Sequence, residues 1–154
     1  MKIKHFPDFS YKEAPAGKLI LHSARIYLER IHQRLESYGI QKTYGPILKE
    51  ISMNEGITQK ELAGFMQITA PSMSVNIRKM EMVQLIKKEI DGTDLRQIRL
   101  YLTEKGKQTA RKADREIALE GEKFVENLSP NEQKELKRLL IKILETQEKR
   151  NNKE

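Results

Sequence analysis

One segment, from Thr69 to Met82, combines an apolar stripe with a facing set of small, hydroxyl-bearing and basic side chains. Met73, Ile77 and Met80 follow the i, i+4, i+7 spacing of a buried helix face. The opposite side chains suit recognition, because hydroxyl and guanidinium donors pair with phosphate oxygens and base edges. The residues expected on this outward face are Pro71, Ser72, Ser74, Val75, Arg78 and Lys79.

A shorter helix is predicted just before this segment. Thr58 and Glu61 have the spacing of a capping box, and Leu62 begins an apolar face. Residues 67–69 then turn the chain, and Pro71 falls in the first turn of the next helix, where its missing N–H is harmless. Two helices joined in this way predict a helix-turn-helix, with the second helix in a DNA major groove.

A charged β-hairpin is predicted next. Residues 85–90 and 97–102 have strand character on either side of the turn-forming residues 91–94. Ile98, Leu100 and Leu102 alternate with polar residues, which predicts that these three face the core.

This order of elements resembles the winged helix-turn-helix of the MarR (multiple-antibiotic-resistance regulator) family. The residues that carry the resemblance are 56–59 with 61–63, Met80-Glu81 with Leu85-Ile86, Asp94 with Arg96, and 102–106. The resemblance implies a mainly α fold with a small β-hairpin wing, in a single domain over 1–154. Within it, 43–102 would form the winged helix-turn-helix, and 15–38 and 104–149 would supply dimerisation helices.

The resemblance also implies a function. It predicts a homodimeric transcriptional regulator, most often a repressor, that binds a palindromic operator in double-stranded DNA in the cytoplasm. The expected DNA-contacting residues are Ser72, Ser74, Val75, Arg78, Lys79, Asp94 and Arg96.

The flanking segments have helical periodicity. Residues 15–38 are followed by Gly39 as a stop, and Ser129, Pro130 and Glu132 form a helix start. The last helix carries an apolar stripe that needs burial, either on its own chain or on a second copy, and the resemblance favours the second copy. The stripe consists of Leu136, Leu139, Leu140, Ile143 and Leu144.

Three residues depart from the family pattern. Gln84 takes the place of a glycine that closes the second helix in a left-handed conformation, which predicts strain at this residue. Val75 replaces a basic residue, and its methyl groups suit the methyl group of thymine. Leu95 replaces the first of two wing arginines, so Arg96 becomes the main candidate for a minor-groove contact.

Net charge gives weaker support for DNA binding. The chain carries +7, yet residues 55–106 hold eight basic against seven acidic side chains. DNA binding therefore requires that the charges segregate in space, with Glu61 and Glu81 away from the groove side. The basic residues expected on the groove side are Arg78, Lys79, Lys87, Lys88, Arg96 and Arg99.

The alternative function is that of a winged-helix module that binds another protein instead of DNA.

Other chemistry finds little support in the sequence. There is no cysteine, and His5, His22 and His32 lack the spacing of metal ligands, so we expect no metal, cofactor or enzyme activity. No apolar run reaches the length of a membrane span, and no signal-peptide core is apparent. The resemblance implies a phenolic or aromatic effector near His22, Tyr27, Tyr38, Tyr44 and Met53, although packing of the hinge between domains is the simpler interpretation of these residues.

Overall fold

A computed structural model describes residues 10–92, 94 and 97–151, which form six helices and three short strands. The chain makes two compact units that meet within one helix, the first ending at Ala118 and the second beginning at Leu119. The predicted fold class, mainly α with a small β wing, is confirmed. The elements are α1 (Ala16–Ser37), α2 (Tyr44–Met53), β1 (Ile57–Thr58), α3 (Gln59–Phe65), α4 (Ala70–Met82), β2 (Ile86–Ile90), β3 (Ile98–Leu102), α5 (Glu104–Phe124) and α6 (Pro130–Asn151).

The helix starts follow from their caps. Thr58 Oγ1 accepts from the Glu61 N–H at 3.3 Å, and Glu61 Oε2 accepts from the Thr58 N–H at 2.8 Å. The Thr58 N–H and the Thr58 hydroxyl, which donates to Glu61 Oε2 at 2.7 Å, hold the pKa of Glu61 below its ordinary value, because they favour the carboxylate. Ser129 and Glu132 form the same reciprocal pair at the start of α6. Both predicted capping boxes are therefore confirmed.

The stop after α1 is also confirmed. Gly39 has a φ of 72°, which glycine adopts without the steric cost that a Cβ would add. Its N–H donates to Glu36 O, and the Ile40 N–H reaches back to Leu35 O, so two terminal carbonyls are satisfied.

The sheet has the order β1-β3-β2, with both pairs antiparallel. Ile86 pairs with Leu102 and Ile90 pairs with Ile98, so the hairpin forms in register over five residues a side. The two strands of the hairpin were predicted within one residue. Strand β1 was not predicted, because two residues are too short to show an alternating pattern.

The core of the first unit lies beneath this sheet and the helix-turn-helix. The most completely buried side chains are Leu35, Ile47, Leu48, Ile51, Leu62, Met73, Ile77, Met80 and Leu100. The predicted apolar stripe of α4 is thus part of this core.

The turn before β1 contains Gly56, which has a φ of 81°. A Cβ added to Gly56 would lie 3.1 Å from the Tyr101 hydroxyl.

The prediction that Ile98 faces the core is wrong. Leu100 and Leu102 are buried, but Ile98 is 50% exposed and its cross-strand partner Ile90 is 67% exposed. All these residues lie on one face of the hairpin, but the Ile90–Ile98 pair lies at the far end of the paired strands, beyond the buried core.

The second unit exposes most of the apolar side chains of α6. In the single chain, Leu136 is 37% exposed and Leu144 is 63% exposed, with Leu139, Leu140, Ile141 and Ile143 between these values. In the first unit, Ile20, Leu21 and Leu28 of α1 are likewise exposed. Among the described residues, no helix has the length and apolar content to cross a membrane.

Candidate nucleic-acid interface

Helix α4 is built to present one face outward. Thr69 caps it, with Oγ1 accepting from the Ser72 N–H at 3.4 Å, and Pro71 lies in the first turn. Met73, Ile77 and Met80 anchor the inner face and are at most 1% exposed. The structure therefore places every α4 residue predicted to contact DNA on the solvent side: Ser72, Ser74, Val75, Arg78 and Lys79.

Short hydrogen bonds order the polar part of this face. Gln59 Nε2, at the start of α3, donates to Ser74 Oγ at 2.6 Å. Thr69 Oγ1 donates to Ser72 Oγ at 2.9 Å, and Asn76 Nδ2 donates to Ser72 O at 3.0 Å. Sequence reasoning missed the role of Gln59, since it depends on how α3 packs across α4 and no spacing rule reports that.

Two cations on α4 are available to a ligand. Arg78 and Lys79 are exposed, and neither forms an ion pair with any residue in 10–92, 94 and 97–151. They lie on the third turn of the helix, beside Val75, which is 53% exposed.

The other basic residues assigned to the groove side are partly neutralised. Lys87 Nζ lies 2.5 Å from Glu89 Oε1, which raises the pKa of Lys87, and Lys88 Nζ lies 2.7 Å from Glu81 Oε2. The prediction that Glu81 lies away from the basic residues is therefore wrong, because the α4–β2 turn brings it against Lys88.

Arg99, which is assigned to the groove side, forms contacts within the protein, and its place at the groove stays a prediction. Its guanidinium pairs with the buried carboxylate of Asp91, which raises the pKa of Arg99, and Nη1 donates to Gly56 O at 2.8 Å. Arg99 thus ties the wing to the turn before β1. The alternating pattern showed Arg99 on the wet face of β3 but could not show which partner it meets there.

The wing loop is organised by its acids. The Asp94 N–H donates to Asp91 Oδ1 at 2.9 Å, and Gln97 Nε2 donates to Asp94 Oδ2 at 3.0 Å. Arg96 and Leu95 lie outside the described residues. The proposed contact of Arg96 with the minor groove, and the role of Asp94 in orienting it, stay predictions.

The far end of α4 is held by its own set of contacts. Gln84 has a φ of 60°, so this non-glycine residue takes the left-handed conformation expected at its position. Thr103 Oγ1 donates to Gln84 O at 2.6 Å, and Lys105 Nζ donates to Val83 O at 2.8 Å. A Cβ on Gly106 would lie 1.9 Å from Leu85 O, so α5 begins in direct backbone contact with this turn.

The five residues suggested for an effector site lie in different surroundings. Tyr44 is buried in the core, which raises its pKa, whereas Met53 is 62% exposed. Tyr27 donates to Ile117 O at 3.4 Å, Tyr38 packs beneath Lys112, and His22 contacts the Tyr11 hydroxyl at 3.3 Å. The effector site stays a prediction.

Within the described part of the chain, no group of three or more acidic or histidine side chains could hold a metal ion. The site is therefore one of hydroxyl, amide and basic groups on α4 together with the wing.

Known proteins match this arrangement. The sequence model of the MarR family matches residues 43–98, from the start of α2 to the first residue of β3. A repressor of the helix-turn-helix type from Mycobacterium tuberculosis is 23% identical over 131 residues, covering 85% of this chain and 94% of that protein.

Solved structures agree. Wild-type MarR from E. coli in its apo form has a TM-score of 0.79 at 19% identity, covering 85% of this chain and 97% of its own. A point mutant of MepR from S. aureus, bound to an oligodeoxyribonucleotide, has a TM-score of 0.64 at 25% identity, covering 87% and 99%. Together with the winged helix described above, these matches show that residues 43–98 have the sequence pattern of the MarR family and that the fold is that of MarR-type transcriptional regulators, which are not enzymes.

Proposed function

We propose that two copies of this chain bind a palindromic operator in double-stranded DNA and repress transcription from it. The observation that carries the proposal is the outward face of α4, where exposed hydroxyl and basic groups lie opposite a fully buried stripe. A helix of this width fits a major groove, and its first turns reach the base edges. The names of the relatives support repression, and the DNA-bound relative supports DNA as the partner.

Within the interface, each of the five predicted contact residues of α4 has a role. Arg78 reads a base, with guanine favoured because its N7 and O6 accept a bidentate pair of hydrogen bonds. Val75 packs on a thymine methyl group, and Ser72, Ser74 and Lys79 fix the register on the duplex. At the wing, Arg96 enters an A·T-rich minor groove and Asp94 organises the loop around it.

A homodimer accounts for the apolar surface of the flanking helices. The side chains of α6 from Leu136 to Leu144, and Ile20, Leu21 and Leu28 of α1, are exposed in the single chain. Monomeric proteins rarely leave so many large apolar side chains in water on two helices. A two-fold dimer also places two α4 helices for successive major grooves, about 34 Å apart along the duplex.

Relief of repression by a small aromatic or phenolic effector extends the proposal. Its support is the family resemblance, and the candidate residues remain His22, Tyr27, Tyr38, Tyr44 and Met53. Because Tyr44 is a core residue, its replacement would test stability more than ligand binding.

The salt dependence of binding tests the proposed function. We expect the chain to enrich particular duplexes from a randomised pool, and log Kd for an enriched duplex to rise linearly with log salt, with a slope of about 0.9 per phosphate contact. Failure to enrich any duplex, together with salt-insensitive capture of a protein, would favour the protein-binding module. The pairing of Lys87 and Lys88 with acids predicts that few cations contribute to this slope.

Sedimentation tests the dimer. The wild type should sediment as a dimer at micromolar concentration, and the double substitution Leu140→Asp with Ile143→Asp should produce monomers, because charges cannot be buried unpaired in an apolar seam. Lys142→Asp, on the same helix, is the matched control and should leave the dimer intact. A monomeric wild type would refute the proposed assembly.

A further inference from the structure

A hydrogen bond between Gln59 and Ser74 links two helices at the outward face of α4. It joins the first residue of α3 to the outward face of α4, with 2.6 Å between Gln59 Nε2 and Ser74 Oγ. Gln59 is half-buried and Ser74 is exposed, so the bond lies at the surface that would face DNA.

The chemistry of the two groups sets the polarity of Ser74. An amide nitrogen only donates, so Ser74 Oγ is the acceptor of this bond. The hydroxyl retains one hydrogen, and among the described residues the Ser74 side chain makes no hydrogen bond to a side chain or carbonyl beyond the one from Gln59. Because Ser74 is exposed, this hydrogen is available to an acceptor on the solvent side, where the DNA would lie.

We propose that Gln59 is a positioning residue that holds Ser74 as a hydrogen-bond donor toward an acceptor on the duplex. The acceptor is a phosphate oxygen or a base acceptor in the major groove, namely a purine N7, guanine O6 or thymine O4. This inference rests on the proposed function.

The consequence is selectivity. A freely rotating serine hydroxyl can donate to an acceptor or accept from an exocyclic amine, so it discriminates little. With one lone pair taken by Gln59 and its hydrogen directed at the duplex, it meets the amines of adenine or cytosine donor to donor, and a desolvated mismatch of this kind is unfavourable. The same polarity recurs beside it, since Thr69 Oγ1 donates to Ser72 Oγ at 2.9 Å. Arg78 and Lys79 add further donors, so this face is directed at acceptors.

The test is a double-mutant cycle on the full chain. The duplex is the one that the wild type enriches most from a randomised pool, and its affinity is measured by fluorescence anisotropy. We expect Ser74→Ala and Gln59→Met each to weaken binding about 5- to 10-fold, as loss of one hydrogen bond does. The double variant should bind no more weakly than Ser74→Ala, because Gln59 acts only through Ser74.

Gln108→Met is the matched control, since Gln108 is exposed on α5 and makes no side-chain hydrogen bond with residues in the described ranges. It should leave the affinity unchanged. All variants should keep the melting temperature of the wild type, because the replaced side chains are not core residues.

Modified duplexes then identify the acceptor. One series carries single methylphosphonates, and another carries 7-deazapurines, 2-aminopurine in place of guanine, or 5-methyl-2-pyrimidinone in place of thymine. At one position the wild type should lose the same 5- to 10-fold while Ser74→Ala and Gln59→Met lose nothing further. The series in which this occurs distinguishes phosphate from base.

Three results would overturn the inference. The first is a loss of affinity in the double variant equal to the product of the fold-losses of the two single variants. The second is binding by Gln59→Met with the affinity of the wild type. The third is the absence of any modified position that separates the wild type from the variants, as expected if Gln59 Oε1 accepted the Ser74 proton instead. If the wild type enriches no duplex at all, the proposed function itself fails.

Discussion

The two ends of α4 are held by different kinds of interaction. At the N-terminal end, Thr69, Ser72 and Ser74 are joined to each other and to Gln59 by side-chain hydrogen bonds at the surface. At the C-terminal end, three residues near the start of α5 hold the backbone of the turn after the helix, and we call them the clamp: Thr103, Lys105 and Gly106.

This difference separates orientation from recognition. Surface hydrogen bonds contribute little to stability, because water competes for the same groups, so the N-terminal side chains are available to a ligand. The clamp instead holds the backbone of the turn through its carbonyls and through the close approach of Gly106, so it fixes where α4 ends. Substitutions at the clamped end should therefore act mainly on the free energy of unfolding. Substitutions at the other end should act mainly on the affinity for DNA.

The largest effect is expected for Gly106→Ala. The added Cβ would lie 1.9 Å from Leu85 O, and a backbone carbonyl cannot rotate away as a flexible side chain can. We expect a loss of about 3 kcal/mol in the free energy of unfolding, and a fall in melting temperature of roughly 6–12 °C. Urea denaturation at fixed protein concentration measures it.

The control for this change is Gly64→Ala in α3, where a Cβ would meet nothing within 4 Å. Alanine is the better helix former, so this variant should gain up to about 1 kcal/mol. Equal losses in the two variants would mean that the tight contact at Gly106 is relieved without cost.

Arg78→Ala should weaken DNA binding and leave the stability of the fold nearly unchanged. Arg78 is exposed in the middle of α4, so we expect a loss of about 1–3 kcal/mol on the enriched duplex if the contact is bidentate to guanine. The free energy of unfolding should change by less than about 0.5 kcal/mol. Affinity on enriched and random duplexes measures the loss, and an equal small loss on both would reassign Arg78 to a phosphate.

Local signals predicted the elements well. The capping pairs Thr58–Glu61 and Ser129–Glu132 act over three residues, and Gly39 acts on its own turn, so each could be located from the sequence. The inner stripe of α4 was predicted because helical period alone decides which side chains share a face.

Contacts between distant segments could not be predicted in this way. Arg99 meets Asp91 and Gly56 O only because β3 lies between β1 and β2. Ile98 has the alternation of a core residue, but its burial depends on how far the hairpin projects. The resemblance identified residues 102–106 as a motif, while the reason for its threonine and glycine appeared only once Thr103 and Gly106 were placed against the turn after α4.

A smaller effect is expected for Thr69→Ala at the surface end of α4. The substitution removes the hydroxyl that accepts from the Ser72 N–H and donates to Ser72 Oγ. Loss of an N-cap of this type should lower the free energy of unfolding by about 1 kcal/mol. Thr109→Ala, inside α5, is the control and should change stability by less than about 0.5 kcal/mol. Thermal denaturation of both variants decides whether the cap contributes, and equal stabilities would argue that it does not.

The smallest effect is expected for Gln84→Gly at the clamped end of α4, and here the free energy of unfolding should rise. Gln84 has a φ of 60° because the clamp on its carbonyl and the turn into β2 require it, and a side chain raises the energy of that conformation by about 1 kcal/mol. Glycine removes this strain but loses more freedom on folding, so the net gain should be about 0.5 kcal/mol. The carbonyl that Thr103 binds is unchanged by the substitution, so affinity for the enriched duplex should be unchanged. Gln108→Gly, in a helix interior, should instead lose about 1 kcal/mol. Urea denaturation distinguishes the two, and a loss at both positions would mean that the left-handed turn carries no strain for glycine to relieve.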